Sequence, residues 1–164
     1  HLFMTLSSPH LGYMYNSSRI VDTGLWLLKK WKKNTCLTQL TMADAKKLED
    51  TVVYKLSKYK GLEWFKIVSL LSSFQDHYAP FESARIQISK KALEDSSKGK
   101  VYAEMANNIL SRISAPCLYR IDVNYKIPKK NLDTMIGRAA HIQFLESQAL
   151  HRMLVYRYSN FFSQ

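Results

Sequence analysis

Glycine and proline are scarce, with 5 Gly and 4 Pro in 164 residues. So few turn-formers argue against a loop-rich β-sandwich and favour helices. All the glycines stand singly, which leaves neither a P-loop nor a GxGxxG turn, and no GxSxG elbow occurs either. Cysteine is almost missing: Cys36 and Cys117 are the only two, and neither belongs to a CxxC pair. Two isolated thiols fit a reducing compartment. No run of 18 or more predominantly apolar residues occurs, so no spanning helix is expected. The five histidines, at positions 1, 10, 77, 141 and 151, form no i,i+4 pair and no HExxH, which argues against a helix-borne zinc site. Asp76 and His77 are adjacent. On a helix they would point about 100° apart, as polar residues at a helix end rather than as an acid–base pair. A reaction would need residues brought together from distant parts of the chain. We therefore expect no enzyme, no cofactor and no metal.

Acidic residues are also few, 13 against 24 Lys and Arg, for a formal net charge of +11. An excess of that size draws a small domain towards phosphate or an anionic surface. Apolar residues reach 46%, enough for a real core in a single domain spanning residues 1–164. The chain opens at His1, and residues 1–21 hold no acid, which suits the mature side of a cleaved organellar presequence or a cut fragment.

Residues 1–17 read as an irregular N-terminal arm, and residues 18–114 as helical hairpins. The first helix, from about Ser18 to Lys33, buries Ile20, Leu27, Leu28 and Trp31 on one stripe. Lys29, Lys30, Lys32 and Lys33 lie on the opposite side, and Trp26 falls among them. This face is the expected contact for phosphate or an acidic partner, with Lys129 and Lys130 as further basic contacts. Four more helices follow: Ala45 to Tyr59, Leu62 to about Tyr78, one from Pro80 through Ala92, and one carrying Tyr102 to Ile113. They look like one hairpin repeated, with Val52 equivalent to Ile88 and Leu70 to Ile109.

The stretch "CLYRIDVNYKI", within a strand-and-linker segment of residues 115–130, alternates strictly and reads as one extended strand over about 117–127. With no second strand in view, its row of Tyr119, Ile121, Val123 and Tyr125 is expected to pair with another chain. A long terminal helix over residues 131–158 completes the pattern, Asn131 or Asp133 capping it. The expected fold is mostly α: a short antiparallel, solenoid-like array of helical hairpins with one strand and a long C-terminal helix.

"LYR" at 118–120 matches the signature of the LYR family of small mitochondrial accessory proteins. It stands in an alternating strand late in the chain rather than in a first helix, and we read it as coincidence. Residues 42–114, beginning "MADAKKLEDTVVYKLSKYKGLEWFKIVSLLSSFQDHY", resemble the helical-hairpin repeats of organellar RNA proteins, the heptatricopeptide and FASTK-type families. The resemblance implies a mitochondrial matrix protein acting in a ribonucleoprotein. On it we expect a non-catalytic structural subunit of the mitoribosome, touching rRNA backbone without reading its sequence and packed among neighbouring subunits. The alternative is an accessory subunit of a respiratory complex or ATP synthase.

Overall fold

Three short stretches of the chain are extended and lie side by side. The computed structural model describes residues 1–15, 35–126 and 133–162. Strands β1 (Leu2–Leu6), β2 (Ile67–Ser72) and β3 (Leu118–Asp122) form a parallel sheet in the order β1-β2-β3. Leu2 stands opposite Ile67 and Leu6 opposite Leu71, while Val68 pairs with Leu118 and Ser72 with Asp122. Parallel neighbours cannot be joined by a hairpin, so each connection must cross over, and the helices sit in those crossovers. The first carries α1 (Thr35–Leu40) and α2 (Val52–Ser57). The second carries α3 (Phe81–Ala84), α4 (Lys90–Glu94) and α5 (Gly99–Leu110). Beyond β3 come α6 (Asp133–Glu146), α7 (Gln148–Arg157) and α8 (Ser159–Phe162).

β2 is central, and its composition shows why. In "IVSLLS" every residue after Ile67 is buried, because helices cover both faces of the sheet. Val68 and Leu70 pack on one side with Phe3, Leu118, Val53 and Tyr54 of α2, and Tyr102, Met105 and Ala106 of α5. Leu71 packs on the other with Met4, Leu6, Ile121, Phe144 of α6, Leu150 and Leu154 of α7, and Tyr158 just past it. The small serines between the large residues of β2 let the second layer approach. Tyr158 uses that room to donate a buried hydrogen bond to Ser69 Oγ, 2.9 Å.

The expected mostly-α array is therefore replaced by an α/β arrangement. The segment 62–78, apolar on more than one side, is a doubly buried strand and its following loop instead of a central helix. Consequently the two hairpins do not superpose: Val52 starts α2 while Ile88 lies between α3 and α4, and Leu70 is in a strand while Ile109 is in a helix. The arm contains β1. The terminal helix is broken at Ser147, whose hydroxyl accepts from Leu150 N at 3.3 Å and so caps α7.

The alternating stretch is a strand over Leu118–Asp122 only, shorter than the expected 117–127. Its pairing partner is β2 of the same chain rather than a strand from elsewhere. Ile121, Val123 and Tyr125 pack on the layer of Leu71 and Phe144, while Tyr119 lies under the guanidinium of Arg157, 5.4 Å from its ring centroid. Trp26, Lys29, Lys30, Lys32, Lys33, Lys129 and Lys130, the expected basic contacts, lie outside the described residues.

Candidate active site

In parallel sheets the crevice beyond the carboxyl ends of the strands is where binding and catalytic groups collect. Segments leaving all three strands converge there. Ser7 follows β1 directly, and its N–H donates to Leu71 O at 2.9 Å, continuing the ladder. After β2 the chain turns through Ser73 and Gln75 to Asp76. The Gln75 amide donates to Tyr125 O at 2.8 Å and accepts from Tyr125 N at 2.6 Å, standing in for a peptide group and tying this turn to the segment beyond β3.

Asp76 is the centre of the arrangement. Its side chain is fully buried, yet four donors surround it. Oδ1 accepts from the backbone N–H groups of Tyr78, 2.7 Å, and Ala79, 3.2 Å. Oδ2 accepts from Ser7 Oγ at 2.5 Å and from His141 Nδ1 at 2.7 Å. Every lone-pair direction that matters is filled, so a carboxylate is held in one orientation at little desolvation penalty.

His141 reaches this carboxylate from α6. Phe144, one turn further on the same face of that helix, is 1% exposed and meets Tyr125 edge-on with ring centroids 5.4 Å apart. That contact anchors α6 over the sheet and fixes where His141 stands. The ring of Tyr78 stacks on the imidazole at 5.5 Å and 26°. A carboxylate can only accept, so Nδ1 carries the proton of the Asp76 bond and the neutral ring keeps a lone pair on Nε2. The imidazole holds its proton above the usual histidine value of 6.5: the Asp76 hydrogen bond raises it most, burial works against that, and the Asp76 charge adds to the rise. Tyr13, in the segment after β1, is pushed up to about 12 by burial first and by the Asp76 charge second. Tyr125 is raised by the same two causes in the same order.

A buried carboxylate that orients an imidazole through Nδ1 and leaves Nε2 free is the acid–base half of a Ser–His–Asp triad. The chain order, acid before histidine, is that of hydrolases built on a parallel sheet. Sequence reasoning set Asp76 against its neighbour His77 and missed the partner 65 residues away. The usable signal was position: an acid shortly after a run of strand length.

The chain matches the family described as "Putative serine esterase (DUF676)" over residues 1–91. That region holds β1, β2, Ser7 and Asp76, and His141 lies beyond it. No solved structure matches the chain. The match overturns the likeness of residues 42–114 to heptatricopeptide and FASTK-type repeats, whose apparent helices include a buried strand. It equally overturns the expectation of a non-catalytic ribosomal subunit, its respiratory-complex alternative and its RNA-binding character. Because the matched residues make up more than half of the 164, the chain belongs to the DUF676 family.

Proposed function

We propose that this chain carries the general base and its orienting acid for hydrolysis of a carboxylic ester. The observation that carries the reading is the 2.7 Å contact between His141 Nδ1 and a buried Asp76 whose other lone pairs are already bound. His141 Nε2 removes the proton of a serine hydroxyl as its oxygen attacks the ester carbonyl carbon. The C=O pair moves onto oxygen in the tetrahedral intermediate. Its collapse breaks the bond to the alkoxide, which takes the proton back from Nε2 and leaves as the alcohol. Water, deprotonated by the same nitrogen, then attacks the acyl-serine; collapse of this second tetrahedral intermediate breaks the bond to the serine oxygen, which takes the proton back from Nε2 as the acid leaves. Asp76 stays a carboxylate throughout and stabilises the imidazolium formed twice in each turnover.

Hydrolases of this chain order carry the attacking serine before the acid, which here is Asp76. Ser7 does not fill that role. It is 2% exposed, and its hydroxyl is bound to the carboxylate on the Nδ1 side of the ring, not to the base.

The test is a His141→Gln variant of the protein expressed from its full coding sequence, assayed on p-nitrophenyl butyrate and labelled with a fluorophosphonate probe. The wild-type protein should label on serine, and kcat of the variant should fall about 10³–10⁴-fold with little change in KM. A wild-type protein that neither labels nor turns over, or a variant within tenfold of it, overturns the reading.

A further inference from the structure

Among the described residues of this site, Ser7 is the one whose backbone is out of the ordinary. It has φ 51°, a left-handed conformation that few non-glycine residues adopt. Strain of this kind persists only where surrounding contacts over-determine it, and it often marks a residue placed for a purpose. A serine at positive φ just after a parallel strand looks at first like a nucleophile elbow. An elbow, however, holds its hydroxyl out towards substrate, whereas that of Ser7 is buried at 2.5 Å from Asp76 Oδ2. Its own N–H is fixed by Leu71 O, so the hydroxyl is aimed by the edge of the sheet.

We propose that Ser7 is a positioning residue for the Asp76–His141 pair, sharing Oδ2 with the imidazole and thereby setting how strongly the carboxylate holds the ring. The proposal rests on the reading of that pair as the catalytic base and its orienter. Two donors on one oxygen weaken each other, because each draws on the same negative charge. With the hydroxyl present the carboxylate is locked in place, and its grip on the imidazolium is moderated, which keeps His141 able to release its proton at neutral pH. Without it, Oδ2 belongs to His141 alone.

Among the described side chains, those that bear on this titration come from three segments. Asp76 and the Tyr78 ring come from the loop after β2, Tyr13 from the segment after β1, and Tyr125 from beyond β3. Tyr13 and Tyr125 are held neutral well past the range where His141 titrates.

The experiment compares Ser7→Ala with Ser7→Gly in the protein expressed from its full coding sequence, following the His141 ring by NMR through a pH titration. Both variants lose the hydroxyl, but Gly also releases the backbone strain. The His141 midpoint should rise by about half a unit to one unit in both. The acid limb of kcat/KM should move up with it while KM stays within twofold. A merely structural serine predicts the opposite pattern: Ser7→Gly would match wild type, with both midpoints unchanged, and that result overturns the proposal. If Ser7→Ala does not fold, the Ser7→Gly midpoint decides alone. The midpoint is read without turnover, so a shift in an inactive protein would leave Ser7 in its place and remove only the esterase reading.

Discussion

Asp76→Asn tests the site at its most constrained atom. Asparagine keeps the shape of the side chain but replaces one acceptor oxygen by an NH₂ donor. Turned towards Tyr78 N and Ala79 N, that NH₂ would meet two backbone donors that cannot change role. It is therefore driven to the other side, where Ser7 Oγ can rotate to accept and His141 Nδ1 must lose its proton to accept as well. The imidazole proton moves to Nε2, and the base has no lone pair left to offer. The same wrong-tautomer effect in a serine protease drops kcat about 10⁴-fold, and we expect a fall of about 10³–10⁴-fold here with KM nearly unchanged. The weakened bonds at a buried position should also lower unfolding free energy by about 1–3 kcal/mol. Steady-state hydrolysis of a p-nitrophenyl ester, imidazole NMR for the tautomer and urea unfolding measure the three effects. A variant that retains kcat within tenfold, or whose His141 still carries its proton on Nδ1, refutes the reasoning.

Tyr158→Phe removes the donor to Ser69 Oγ at the core of the second layer and should lower stability by about 1 kcal/mol in urea unfolding, without change in KM; no measurable loss would show that α7 is held by packing alone. His10 and His141, both partly buried, should pull the pH dependence of stability in opposite directions. His141 has its folded-state value raised above 6.5, so its contribution is complete below that pH and is lost as the pH rises through the folded value. Burial lowers His10 to about 4, so its contribution is complete above 6.5 and is lost as the pH falls from there towards 4. Unfolding at pH 5 and pH 8 should accordingly show a smaller acid loss for His10→Gln and a larger one for His141→Gln; changes of the same sign in both would contradict these assignments.

Much of the fold was hidden by one ambiguity of period. A short apolar run has no phase: Ile67, Val68, Leu70 and Leu71 suit a central helix as well as a strand buried on both faces, and only length separates them. Read as a helix, the run made its neighbours look like hairpins. Read as a strand, it demands a parallel partner on each side, and the arm at Leu2–Leu6 and the stretch at Leu118–Asp122 supply them. The stretch beyond Cys117 was legible because its outer face is half-exposed and so alternates. α5 was legible too, since its stripe of Tyr102, Met105 and Ala106 faces a single layer. Ser147 caps α7, so the terminal stretch is two helices rather than one.

The site was illegible for a different reason. Histidine and aspartate show no pairing at helical spacing, and in a sheet-based site proximity comes from topology. β2 and α6 are brought together because Leu71 and Phe144 share one apolar layer, and that packing sets Asp76 and His141 in contact. No local pattern encodes it. What a sequence can encode is the supporting chemistry: a serine closing β1, an acid past β2 followed by two residues whose N–H groups turn back on it, and an aromatic one turn beyond the histidine. Each has a bland explanation when taken singly, as a turn residue, a helix end or a core ring. Together they are the parts needed to hold a buried carboxylate still against an imidazole, and the order strand, acid, strand, histidine is the constraint that joins them. Scarcity of glycine argued against enzymes that cradle phosphates on glycine-rich loops. It had no bearing on a site whose oriented atoms come from side chains and from the N–H groups that follow Asp76.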